Sequence, residues 1–69
     1  MEEKYEIEQL KAECRSSAQE LENSLKDVLE DGFSSIYIIK NYANCLETNN
    51  TCIRNLIQFH KDNLHLEFQ

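Results

Sequence analysis

The stretch VLEDGFSSIYIIKNY, residues 28–42, holds the single glycine of a 69-residue chain that has no proline. Gly32 is suited to end a helix in the left-handed conformation, and Phe33 after it can contact Val28, as in a Schellman ending. One of the two serines that follow can then cap a second helix. The stretch therefore predicts a turn at residues 31–35 between two helices.

Two observations oppose that turn. Glu30 and Asp31 stand where the helix dipole disfavours carboxylates, and the spacing of apolar residues continues in phase through Gly32. One continuous coiled-coil helix is therefore an alternative, since an internal glycine costs only about 1 kcal/mol. A second break among the weak helix formers Thr48–Thr51 would give a three-helix bundle.

Apolar residues before the glycine form one narrow stripe, which predicts a helix over about 3–31 with a single buried face. Glutamate, leucine, lysine and glutamine, all good helix formers, are abundant there. The stripe recurs every three or four residues and consists of Ile7, Leu10, Cys14, Ala18, Leu21, Leu25, Val28 and Leu29.

The second predicted helix, over about 36–64 with a tail at 65–69, carries two neighbouring apolar rows that together cover about 160° of its surface. Gaps of three and four residues alternate in both rows. One row is Ile36, Ile39, Ala43, Leu46, Asn50, Ile53, Ile57, His60 and Leu64, and the other is Ile38, Tyr42, Cys45, Asn49, Cys52, Leu56 and Phe59.

This wide apolar surface favours folding back, because the first helix covers one row and a partner covers the other. We therefore predict an all-α helical hairpin, a single domain over residues 1–69. The predicted partner interface is the row that contains Tyr42 and Phe59. The predicted core within the chain consists of Ile7, Leu10, Leu21, Leu25, Val28, Ile36, Ile39, Leu46, Ile53 and Ile57.

Spacing alone does not fix which row faces inward, and the two assignments can be exchanged. Asn50 occupies a core position of its row. A buried asparagine there is a device that fixes register and oligomeric state at some cost in stability. The alternative is that the Asn50 side chain faces water.

Charge and cysteine content restrict the partners. Residues 1–31 contain ten acidic and four basic side chains, a net charge of −6, whereas residues 32–69 contain three of each. This balance argues against binding nucleic acid or anionic lipid. No apolar run approaches the roughly 18 residues of a membrane span. Three cysteines without a secretory signal indicate a reducing compartment, cytoplasmic or nuclear.

No pattern for chemistry is found. Cys45 and Cys52 lie about 10.5 Å apart along a helix, too far for a disulfide. Together with His60 and His65 they match no zinc-ligand spacing. There is no phosphate-binding loop and no nucleophile beside a histidine. We therefore expect no enzyme, no cofactor and no metal, with the cysteines, Cys14 included, as small core residues.

Sixty-nine residues in two helices leave much apolar surface that one chain cannot bury. The predicted function is a non-enzymatic oligomerisation subunit or scaffold of a larger complex, either a homo-oligomer or a hetero-oligomer with another helical chain. The alternative is a small acidic regulatory inhibitor, viral, phage or bacterial, that binds a basic site on a target protein.

Overall fold

The computed structural model describes residues 2–67, with the side chains of residues 6–63, and its architecture is an all-α helical hairpin. Helix α1 spans Glu2–Asp31 and helix α2 spans Ile36–Glu67. The two helices pack against each other as antiparallel neighbours. The predicted hairpin is therefore confirmed, and Thr48–Thr51 lies inside α2 rather than in a second turn.

Helix α2 continues past residue 64, where we expected it to end. The backbone of the predicted tail, residues 65–69, is helical as far as Glu67. The side chains of that tail, His65 included, lie outside the described residues, as does that of Leu64.

A Schellman motif ends α1 at the glycine. Gly32 has a φ of 69°, and its N–H donates to the carbonyls of Val28 at 2.9 Å and Leu29 at 3.3 Å. The N–H of Phe33 donates to the Val28 carbonyl at 3.2 Å. Phe33 also has a positive φ, 60°, which disfavours a residue with a Cβ. The chain therefore reverses over two consecutive left-handed residues.

The carboxylate of Asp31 caps the second helix. Its Oδ2 atom accepts the N–H groups of Ser34 at 2.8 Å and Ser35 at 2.6 Å. The Ser35 carbonyl in turn accepts the N–H of Ile39 at 3.0 Å, so Ser35 occupies the N-cap position. A negative charge at the start of α2 interacts favourably with that helix dipole. Asp31 is therefore unfavourable at the end of α1 but stabilises the beginning of α2.

The two helices meet in a constant register. Ser17 and Asn49 are hydrogen-bonded at 2.9 Å. Three residues farther along each helix, away from the turn, the Cys14 and Cys52 thiols lie next to each other. Both pairs have the same antiparallel offset, so the layers can be extended along the hairpin. The same offset predicts five further layers, in each of which neither side chain is exposed: Leu21 with Cys45, Ser24 with Tyr42, Val28 with Ile38, Leu10 with Leu56, and Ile7 with Phe59.

We predict that Asp31→Ala lowers the free energy of unfolding by about 1 kcal/mol, because the N–H groups of Ser34 and of the N-cap residue Ser35 lose their acceptor. Glu30→Ala is the matched control, since it removes the same charge one residue earlier. Its expected effect is within about 0.5 kcal/mol of zero. Urea denaturation at equal protein concentration measures both, and equal effects would contradict the capping role.

Candidate interaction surface

The face that α1 turns toward α2 is a strict heptad row and differs from the predicted stripe. Ala18 is exposed and Leu25 is 36% exposed, whereas Ser17 and Ser24 are buried in their place. Gaps of three and four residues alternate strictly along this row. A stripe defined by apolar residues alone misses this pattern, because two of its positions are serines. The row is Ile7, Leu10, Cys14, Ser17, Leu21, Ser24 and Val28.

Buried serines are accommodated because their hydroxyl groups are satisfied. Ser17 Oγ donates to the Cys14 carbonyl at 3.1 Å, and Ser24 Oγ donates to the Leu21 carbonyl at 2.8 Å. Ser17 Oγ also accepts the Nδ2–H of Asn49, which is itself 7% exposed. Within the described residues, no buried side-chain nitrogen or oxygen lacks a hydrogen-bond partner. The interface between the helices is therefore narrow and partly polar.

The two rows of α2 are exchanged relative to the prediction. Asn49 is buried against Ser17, and the other members of its row are half-buried, so the row assigned to a partner instead faces α1. The physical reason is that Asn49 finds a hydrogen-bond partner in Ser17 and that Cys52 fits beside the small Cys14 side chain. This inward row consists of Ile38, Tyr42, Cys45, Asn49, Cys52, Leu56 and Phe59.

The row expected in the core lies largely in solvent. Ile36 is 59% exposed, Leu46 47%, Ile53 42% and Ile57 48%. These side chains belong to a strict heptad row one residue out of phase with the inward row, so it points about 100° away. We call it the outer row, and it consists of Ile36, Ile39, Ala43, Leu46, Asn50, Ile53, Ile57 and His60.

Helix α1 extends this apolar surface from Ala18 toward the turn, whereas Lys11 and Arg15 occupy the same side farther from the turn. Ala18 and Ile53 line the same open groove between the helices, which places the outer row on the side of the hairpin that carries Ala18. Leu25 and Leu29, the latter 62% exposed, follow inward-facing residues by one position, as Ala18 does. The outer row and these three α1 residues together form what we call the apolar face.

The opposite side of the hairpin is acidic and polar. Four α1 acids each precede an inward-facing residue by one position, and all four are exposed. The corresponding positions of α2 are uncharged except Asp62. The four α1 acids are Glu6, Glu13, Glu20 and Asp27. The hairpin as a whole is therefore amphipathic, with an apolar face and an acidic one.

Three half-buried free thiols lie in or beside the helix interface. Burial raises the pKa of the Cys14 thiol above its usual value, and the adjoining Cys52 adds to this increase. The Cys14 thiol is therefore protonated at neutral pH and is a poor nucleophile. Among the described residues, no three histidine, cysteine, aspartate or glutamate side chains are grouped as metal ligands would be.

Known proteins give no guide to this surface. No family model, no curated protein and no solved structure matches the chain. Neither described helix is both long and apolar enough to cross a membrane. The functional argument therefore depends on the apolar face itself.

We predict that oxidised glutathione converts Cys14 and Cys52 to a disulfide within one chain. Each thiol loses one hydrogen and two molecules of reduced glutathione form, so the protein mass falls by two hydrogens. The bond would raise the free energy of unfolding by at most about 4 kcal/mol through loop closure. Cys52→Ser should abolish the mass change. Cys45→Ser, the control, should preserve it, and a link that requires Cys45 would contradict the register.

Proposed function

We propose that this chain is a non-enzymatic helical assembly subunit that binds partner helices through its apolar face. One observation carries the proposal. Helix α2 already uses one heptad row against α1, yet it displays a second heptad row to solvent, in which only Ile39 is half-buried among the described residues. A helix with a single neighbour needs only one such row.

The exposed area makes a second neighbour energetically favourable. The large outer-row side chains Ile36, Leu46, Ile53 and Ile57 remain about half exposed. Complete burial of such a side chain contributes about 1.5–3 kcal/mol, so covering the remaining half contributes about 1 kcal/mol each. The sum, about 4 kcal/mol, approaches the lower end of the total stability of small domains, about 5–15 kcal/mol. Contiguous apolar surface of this kind is typical of protein interaction sites.

The remaining features fit an interaction module. The groove that Ala18 and Ile53 line is open. Cys14 is the one thiol in its lining, and burial raises the pKa of that thiol. The other lining residues, Lys11, Arg15, Ala18, Asn49, Ile53 and Leu56, include no histidine or carboxylate to act as its general base. Catalytic sites are normally enclosed pockets with convergent polar groups. The three free thiols suit a reducing compartment, so we propose a cytoplasmic or nuclear location.

A second candidate function is supported by the acidic side of the hairpin. Four acids recur at seven-residue intervals along α1, which suits a regulatory inhibitor that docks on a basic site. Binding through exposed charge weakens strongly as salt concentration rises, whereas binding through the apolar face does not. Complex formation measured across a salt series therefore separates the two functions.

We predict that Ile53→Asp abolishes helix binding, because a carboxylate would be buried at the centre of the apolar face. Asn55→Asp is the matched control. It adds the same charge two residues away, at an exposed position on the acidic side. Multi-angle light scattering, with and without proteins captured from the native source, should give a larger mass for the unmodified chain and for Asn55→Asp. Equal masses for Ile53→Asp and the unmodified chain would contradict the proposal.

A further inference from the structure

We propose that the occupant of the apolar face is a second copy of this chain, whose outer row pairs with the same row in parallel and in register. Asn50 of one copy then lies opposite Asn50 of the other. The inference rests on the proposed function, because it names the partner that the apolar face binds.

The first argument is the position of Asn50. This residue is exposed in the hairpin and is the one amide in a row of otherwise apolar residues from Ile36 to Ile57. A buried amide requires both a donor and an acceptor, and a second asparagine at the same height supplies both. Single asparagines at such positions specify register and oligomeric state in parallel two-stranded coiled coils.

An antiparallel pair of α2 helices does not provide that partner. Antiparallel packing places positions of the Asn50 type opposite positions of the type that Leu46 and Ile53 occupy. The amide would then be buried against an aliphatic side chain, at the cost of an unsatisfied polar group. In the parallel, in-register arrangement, the Asn50 amides face each other and every aliphatic side chain of the row faces its own copy.

Charge selects the same arrangement independently. The segment before Gly32 has a net charge of −6. In the parallel dimer the two-fold axis runs along α2, and the two α1 helices lie on opposite sides of the paired α2 helices. In an antiparallel dimer the two-fold axis crosses α2 at a right angle. Face-to-face packing then places the two α1 helices on the same side, where their like charges repel. The parallel dimer therefore minimises repulsion between the acidic helices.

Disulfide trapping tests the orientation. Ala43 lies seven residues before Asn50, at the same type of position, so two copies of the Ala43→Cys variant should form a covalent dimer in glutathione buffer. Two thiols lose their hydrogens as oxidised glutathione is reduced, and peptide mass mapping should join position 43 to position 43. Asn44→Cys is the matched control, exposed one residue away and off the apolar face, and should give little covalent dimer.

Exchange between copies tests the role of Asn50. Ala43→Cys chains are mixed at redox equilibrium with chains that carry both Ala43→Cys and Asn50→Ile. Each mixed dimer buries one amide without its twin, so we expect mixed dimers about tenfold below the statistical proportion. Statistical mixing would overturn the pairing of Asn50 with Asn50.

Two other results would also overturn the inference: a disulfide that joins position 43 to a different position, and a monomeric unmodified chain at micromolar concentration in sedimentation equilibrium. These outcomes remain distinct from failure of the proposed function. If the chain alone is monomeric but forms a complex that Ile53→Asp abolishes, the apolar face binds another protein. If Ile53→Asp changes no mass, both proposals fail.

Discussion

The hydrogen bond from the Asn49 amide to the Ser17 hydroxyl orients α2 in the hairpin. Helix α2 carries two heptad rows that differ by one residue in phase, and rotation by about 100° would exchange them. Ser17 accepts the Asn49 donor at 2.9 Å and is itself bonded to its own helix, so the polar layer is complete. Turning the other row inward would break this bond and bring Asn50 toward Ser17 instead. It would also turn Tyr42 and Phe59 outward in place of Ala43 and His60.

Amphipathicity of the whole hairpin follows from that orientation. The outer row is directed to one broad side, where α1 adds Leu25 and Leu29, and the seven-residue series of acids is directed to the opposite side. The interface between the two helices is narrow. Val28 is the one hydrophobic side chain among the described residues that is fully buried. Much of the apolar surface of α2 therefore remains outside the hairpin, which is the basis for proposing an assembly function.

The turn shows how one side chain can act on two helices. Asp31 is the last residue of α1, where its charge opposes the helix dipole, yet its carboxylate accepts two N–H groups at the beginning of α2. Gly32 and Phe33, which lie between Asp31 and the two serines, both have left-handed conformations. An argument from α1 alone counts Asp31 as unfavourable, because the compensating hydrogen bonds exist only after the chain has reversed.

The amino-acid sequence by itself determined the helical class, the position of the turn and the membership of both α2 rows. Helix propensity, a lone glycine and alternating gaps of three and four are local properties. The row that faces α1, the burial of Ser17 and Ser24 in place of Ala18 and Leu25, and the capping role of Asp31 were decided only by the tertiary structure. Rows one residue apart have equal periodicity on an isolated helix, and a serine appears polar until its hydroxyl finds acceptors within the fold. Contacts between α1 and α2 remove that equivalence.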